Sequence, residues 1–262
     1  MVGAVPQSIH NDLVARINEL ASQRSKSPSA DDWTWRALKR DVEKLAKNPQ
    51  FTARATLLLA TVWGLVGNTE EMERCFNQYA GKYGKDWPWY RGRAFQGPAL
   101  GRLDVVVDML NFGYPKGDKA TADFVGRLCY QSGLFLSAEK ALLHSAEISG
   151  GSLAGADAKY YGSLPSIITY INEHELDEKD IADRLQVASR VVVDMTGPLT
   201  TFSVSAGDWG ITLEYTVDDE IERLVEIDFA ITRRLVIEFE DPLSQHISIG
   251  VRPLSESETN AN

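Results

Sequence analysis

Apolar residues recur at helical spacing from the start of the chain. Ile9, Leu13, Ile17, Leu20 and Ala21 fall three or four positions apart and predict a first amphipathic helix. Ser29-Ala30-Asp31-Asp32 has a capping-box pattern, in which the short Ser side chain satisfies early amide donors of a second helix. That helix carries Trp35, Leu38, Val42 and Leu45 and closes at Pro49. Further along, residues 158–173 and 178–195 keep the helical period, with Ile167, Ile168 and Ile171, then Ile181, Leu185 and Val192, as stripes. The period then falls to two. Phe202 and Val204 point one way, Ala206-Gly207-Asp208-Trp209-Gly210 reads as a turn, and Ile211, Leu213, Tyr215 and Val217 alternate with polar residues, so a hairpin is expected. Asp218 and Asp219 can cap a helix bearing Ile221, Leu224, Val225, Ile231 and Leu235, and Ile247, Ile249 and Val251 form a last strand ended by Pro253. This order of helix, helix, strand, strand, helix, strand predicts a small α+β domain with one sheet face covered by helix.

Between these regions the chain resembles itself. The windows 60–79, 94–113 and 126–145 align on a small residue (Ala60, Ala94, Gly126) followed after seven positions by a glycine (Gly67, Gly101, Gly133). Five and nine positions beyond each glycine stand Met72 and Phe76, Val106 and Leu110, Ala138 and Leu142. The glycines are 34 and 32 residues apart. The small residue lets two antiparallel helices approach, the glycine ends the first of them at positive φ, and the later residues face a neighbouring unit. Over about residues 50–148 the pattern resembles the tetratricopeptide repeat family, best in the first window with Trp63 and Phe76. It departs from that family at Gly97-Pro98, at Cys129 where an aromatic is common, and at Tyr79 where a small residue is common. An irregular helical bundle is the other arrangement such helices can adopt.

Charge adds a division that the periodicities do not give. Residues 1–156 hold 19 Lys+Arg against 16 Asp+Glu, and residues 157–262 hold 8 against 21. With the glycines of 150–155, this places a boundary in that stretch. The expected architecture is therefore mainly α: an α-α helical-repeat, tetratricopeptide-like superhelix over 1–150, a Gly-rich linker over 151–156, an acidic α+β domain over 157–254 and a disordered polar tail over 255–262. The acidic part carries no motif that assigns it to a family. With 44% hydrophobic and 24% charged residues, the composition is that of soluble globular proteins and excludes collagen, coiled-coil rods and fully disordered chains. The longest apolar stretch, residues 53–66, contains Arg54, Thr56, Thr61 and Gly64, so no membrane helix is expected. The opening MVGAVPQSIHNDLV lacks the features of a secretory signal, and a cytoplasmic protein with reduced Cys75 and Cys129 packed on helices is expected.

Catalytic chemistry is sparsely represented. His10, His144, His174 and His246 are far apart in sequence, there is no Cys-x-x-Cys or Gly-x-Ser-x-Gly, and the 150–155 glycines lack the lysine of a phosphate loop, so no metal site and no cofactor are expected. Residues 180–192 resemble the helix-turn-helix of DNA-binding regulators, but Gln186 stands where glycine is usual, Arg190 is the one cation of the supposed recognition helix, and the surrounding charge repels phosphate. Taken residue by residue, the repeat resemblance implies a groove carrying Arg54, Leu57 and Thr61, then Arg91 and Phe95, then Asp123, Arg127 and Tyr130. Arg54, Arg91, Phe95, Arg127 and Tyr130 are the expected partner-binding residues, with Trp87-Pro88-Trp89-Tyr90 leading into them. Arginine binds carboxylates bidentately and stacks on rings, so an acidic or C-terminal peptide suits this array. The same residues also fit a plain reading of core aromatics and solvated arginines. The expected function is thus a non-enzymatic adaptor or regulator, with an enzyme or small-ligand sensor in the α+β domain as the alternative. The opposite charges of the two parts also allow homo-oligomers through charge-complementary domains.

Overall fold

The computed structural model describes residues 6–26, 32–150, 161–199 and 201–254. The expected capping residues 29–31, the linker and the tail lie outside them. The chain divides between Gln96 and Gly97 into two compact units. The helices and strands of each match the periodicities of the sequence, although the division itself does not.

The first unit is helical. Helices α1 (Pro6–Lys26), α2 (Asp32–Ala46) and α3 (Thr52–Leu65) share one core, to which they give Leu13, Ile17 and Leu20, then Leu38, Val42 and Leu45, then Ala55 and Val62. Arg16 pairs with Asp41 at 3.0 Å across α1 and α2, and the Trp35 indole N–H donates to the Val62 carbonyl at 2.8 Å. Helix α3 then reverses into α4 (Thr69–Tyr83) at Gly67, whose φ of 71° only glycine adopts without strain. There the Asn68 N–H donates to the Trp63 carbonyl while the Asn68 side chain accepts the Glu71 N–H, ending one helix and starting the next. Helix α5 (Trp87–Gln96) packs back through Trp89, which lies edge-on to Phe76 and donates its indole N–H to the Phe76 carbonyl at 3.0 Å.

The second unit joins helices to a sheet. After a 3-10 turn, Pro98–Leu100, come α6 (Asp104–Phe112), α7 (Lys119–Gln131), α8 (Phe135–Ser149), α9 (Leu164–Glu173) and α10 (Glu178–Thr196). Helices α7 and α8 form a second hairpin. It turns at Gly133 (φ 76°), and Gly126 is bare because a Cβ there would stand 2.7 Å from the Leu142 side chain. Strands β1 (Thr201–Gly207) and β2 (Gly210–Val217) pair antiparallel across the Asp208-Trp209 turn. Helix α11 (Ile221–Glu238) returns the chain to β3 (Ile247–Pro253), which pairs parallel to β2, giving the order β1-β2-β3. The alternating Ile211, Leu213, Tyr215 and Val217 are all buried, as their period predicts. Thus the chain is mainly helical, with a small three-stranded sheet near its C-terminal end.

The second window departs from the other two. Gly101 does sit at positive φ (63°), but it follows a 3-10 turn rather than a full helix, and α5 and α6 fall in different units. Helices α6 to α8 are tied instead to α10. Asp104 donates its N–H to Gln186 Oε1 at 2.6 Å, Glu178 accepts from both the N–H and hydroxyl of Ser137 at 3.0 and 2.7 Å, and Gly133 packs on Ile181, Ala182 and Leu185. The compact division therefore precedes the Gly-rich stretch. Counted at Gly97, opposite charge balances persist, 14 Lys+Arg against 10 Asp+Glu before it and 13 against 27 after it. No helix among the described residues is long and apolar enough to cross a membrane.

Both cysteines are free and buried, Cys75 on α4 and Cys129 on α7. Burial pushes the Cys129 thiol up to about 12, with the Glu178 charge adding to it, and burial likewise raises Cys75. Because the thiolate is the reactive form, neither should react with a disulfide reagent at pH 8 until the chain unfolds. Stoichiometric labelling of the native protein within seconds would contradict these environments.

Candidate functional site

Helix α7 starts where Asp118 accepts the Thr121 N–H, and one of its faces borders a cleft. Ala120, Asp123, Phe124, Arg127, Tyr130 and Gln131 recur every three or four residues and so share that face. With Leu142 of α8, Tyr161 and Phe202 of β1 they enclose a cleft of about 650 Å³. Its floor is aromatic: Tyr130 lies edge-on to Tyr161 at 5.3 Å and to Phe135 at 5.6 Å, and its hydroxyl shares a 2.8 Å hydrogen bond with Ser163. Burial raises the Tyr130 phenol above its ordinary range and the Ser163 bond opposes this, so the group stays neutral at physiological pH.

The two charges of the cleft differ. Asp123 accepts from Lys119 at 2.7 Å and from the Ser145 hydroxyl, so its carboxylate is already served. Arg127 is exposed, its guanidinium 5.9 Å from the centroid of the Phe124 ring, and among the described residues it forms no ion pair. An available guanidinium above an aromatic floor can receive a carboxylate and the apolar group beside it.

Of the five expected binding residues, the cleft brings together Arg127 and Tyr130. Arg91 and Phe95 lie one turn apart on an exposed face of α5, and Arg54 is exposed on α3, all three in the first unit. Trp87 to Tyr90 belong to α5 itself, and Trp89 is core. Residues 180–192 lie within the uninterrupted α10, without the turn of a helix-turn-helix. Gln186 there bonds Asp104 and Arg184 is buried, its guanidinium donating to the Asp180 and Asp241 carbonyls and covering the Phe239 ring at 4.4 Å.

Two features have no signal in the sequence pattern. Tyr161 and Phe202 complete the cleft from 31 and 72 positions beyond Tyr130, and no local period joins them to it. Histidines distant in sequence also meet: the His174 and His246 rings lie 5.1 Å apart, tilted by 50°, and the Tyr170 hydroxyl lies 3.1 Å from His246 Nδ1. The Tyr170 to His174 spacing of four is visible on one helix, but the approach of His246 depends on where β3 enters the sheet. Among the described residues no group of three or more His, Cys, Asp or Glu is arranged to hold a metal ion. In comparisons with known proteins, no family model, curated protein or solved structure matches the chain.

Proposed function

We propose that the protein is a non-enzymatic interaction module, an adaptor or regulator that receives the carboxylate end of a partner peptide in the cleft of α7, α8 and β1. The observation that carries this reading is Arg127, exposed and without an ion pair among the described residues, above the aromatic floor made by Phe124, Tyr130 and Tyr161. In the same reading the hairpins α3–α4 and α7–α8 are tetratricopeptide-like units, and α7 contributes the ligand-facing side of a first repeat helix, in keeping with the resemblance of 126–145 to that family. The charge of the second unit refines the ligand. With 13 basic against 27 acidic residues after Gln96, a polyanion is repelled at long range, whereas one carboxylate flanked by apolar groups meets only the local guanidinium.

A sensor of small carboxylic acids is the second reading, favoured by the cleft volume, which falls within the roughly 300–1,000 Å³ of small-molecule sites. Selection of a random library of peptides with free C-termini on the immobilised full chain tests both. The expected result is enrichment of ends with an aromatic or aliphatic residue beside the carboxylate. Arg127→Ala, or amidation of the selected peptide, should each cost about 2 kcal/mol, roughly thirtyfold in affinity, with the fold unchanged because the side chain is exposed. Enrichment indifferent to Arg127→Ala would overturn the assignment. An empty selection, together with thermal stabilisation by small aromatic carboxylic acids that Arg127→Ala abolishes, would transfer the cleft to the sensor reading.

A further inference from the structure

Helix α11 has one apolar face more than its own unit uses. Leu224, Ile227, Ile231 and Leu235 are buried, none more than 8% exposed. At about 100° per residue, Ile221, Val225, Phe229 and Val236 form a separate row along the outside, 71%, 47%, 72% and 62% exposed, with Ile237 (65%) beside its end. A surface helix needs a single apolar stripe and a polar remainder, so a second stripe points to a second partner. Exposed apolar rows of this length mark interaction surfaces more often than single scattered residues do.

Charges beside the row decide what covers it. Glu222 and Glu226 flank its N-terminal half and Arg233 flanks the C-terminal half on the same side. Arg223 engages Glu226 at 2.6 Å, while among the described residues Glu222 and Arg233 form no ion pair. We infer that this row is a self-association surface on which a second copy of the chain lays the same helix antiparallel, about a two-fold axis at Phe229. In that register Phe229 meets its own counterpart, Val236 lies opposite Glu222, and Arg233 falls level with Val225, between Glu222 and Glu226 of the other copy. A parallel pairing would instead set Arg233 against Arg233 and Glu222 against Glu222, so charge selects the antiparallel one.

The test is the mass of the full chain in solution across micromolar concentrations, read by sedimentation equilibrium. The expected mass is twice the 29.0 kDa of one chain. Phe229→Asp should raise the dissociation constant at least a hundredfold while the circular-dichroism melt stays that of a folded protein, because the side chain is exposed. Arg233→Glu should weaken the dimer and Arg233→Glu with Glu222→Arg should restore it. Register is read by mild oxidation: Phe229→Cys should cross-link to itself, and Glu222→Cys with Val236→Cys should cross-link where Val236→Cys alone does not. The native Cys75 and Cys129 are buried and stay silent. A wild-type chain that remains at 29.0 kDa at 100 µM, or a dimer unmoved by Phe229→Asp, would overturn the inference; cross-linking of Val236→Cys alone would overturn the antiparallel register.

Discussion

Gly101→Val should lower stability by about 3–5 kcal/mol and the melting temperature of the second unit by roughly 10 °C. Two costs add at this position. The residue sits at φ 63°, where a β-branched side chain is strained. It also lies against the backbone of α10, so that a Cβ would stand 3.1 Å from the Ser189 carbonyl and the Arg190 nitrogen. Backbone cannot give way as a flexible side chain does. The strain alone can be measured at Gly113, which has φ 88° and nothing within 4 Å of an added Cβ. Gly113→Val should therefore cost only about 1–2 kcal/mol. Thermal melts of the two variants beside the parent decide the matter: equal losses would mean that Gly101 is a turn residue and nothing more.

Cutting the chain after residue 156 should leave residues 97–149 without a stable fold, whereas a fragment of residues 97–262 should fold cooperatively by itself. In the first cut α8 loses the Glu178 carboxylate that serves two donors of Ser137, Gly133 loses its seat on Ile181 and Leu185, and the Tyr130 hydroxyl loses Ser163. Each loss strands a buried polar group or bares apolar surface, at about 1–3 kcal/mol apiece, which together match much of the stability of a small domain. Dispersed amide spectra for 97–262, and rapid proteolysis of 1–156 beyond about residue 96, are the expected results. A fragment 1–156 protected from proteolysis along its whole length would return the boundary to the Gly-rich stretch.

These two outcomes mark how far the sequence carries. The stripes Leu13, Ile17 and Leu20, or Ile181, Leu185 and Val192, were legible because a helix must repeat its buried side every three to four residues. The β1–β2 hairpin was legible because alternation and the Gly207 to Gly210 turn act over neighbouring positions. All three turn glycines, Gly67, Gly101 and Gly133, adopt the positive φ that their spacing suggested, since this requirement is local to the backbone.

What the local pattern did not contain is which helix lies against which. Glycine and charge suggested a boundary near residue 156, yet Asp104, Ser137 and Gly133 find their partners on α10, about 40 to 80 positions later. The arginines expected to line one groove divide for the same reason: Arg54 and Arg91, like Arg127, lie on the first helix of an expected unit, but compactness is set by packing area and polar satisfaction rather than by order along the chain. Arg127 and Tyr130 could be placed together from one helix face. Tyr161 and Phe202, which close the cleft over them, and His246, which meets His174, come from elements whose order in space is settled by long-range packing. Local periodicity is written in neighbouring residues, whereas a concave site is made by surfaces that touch only after the chain has folded.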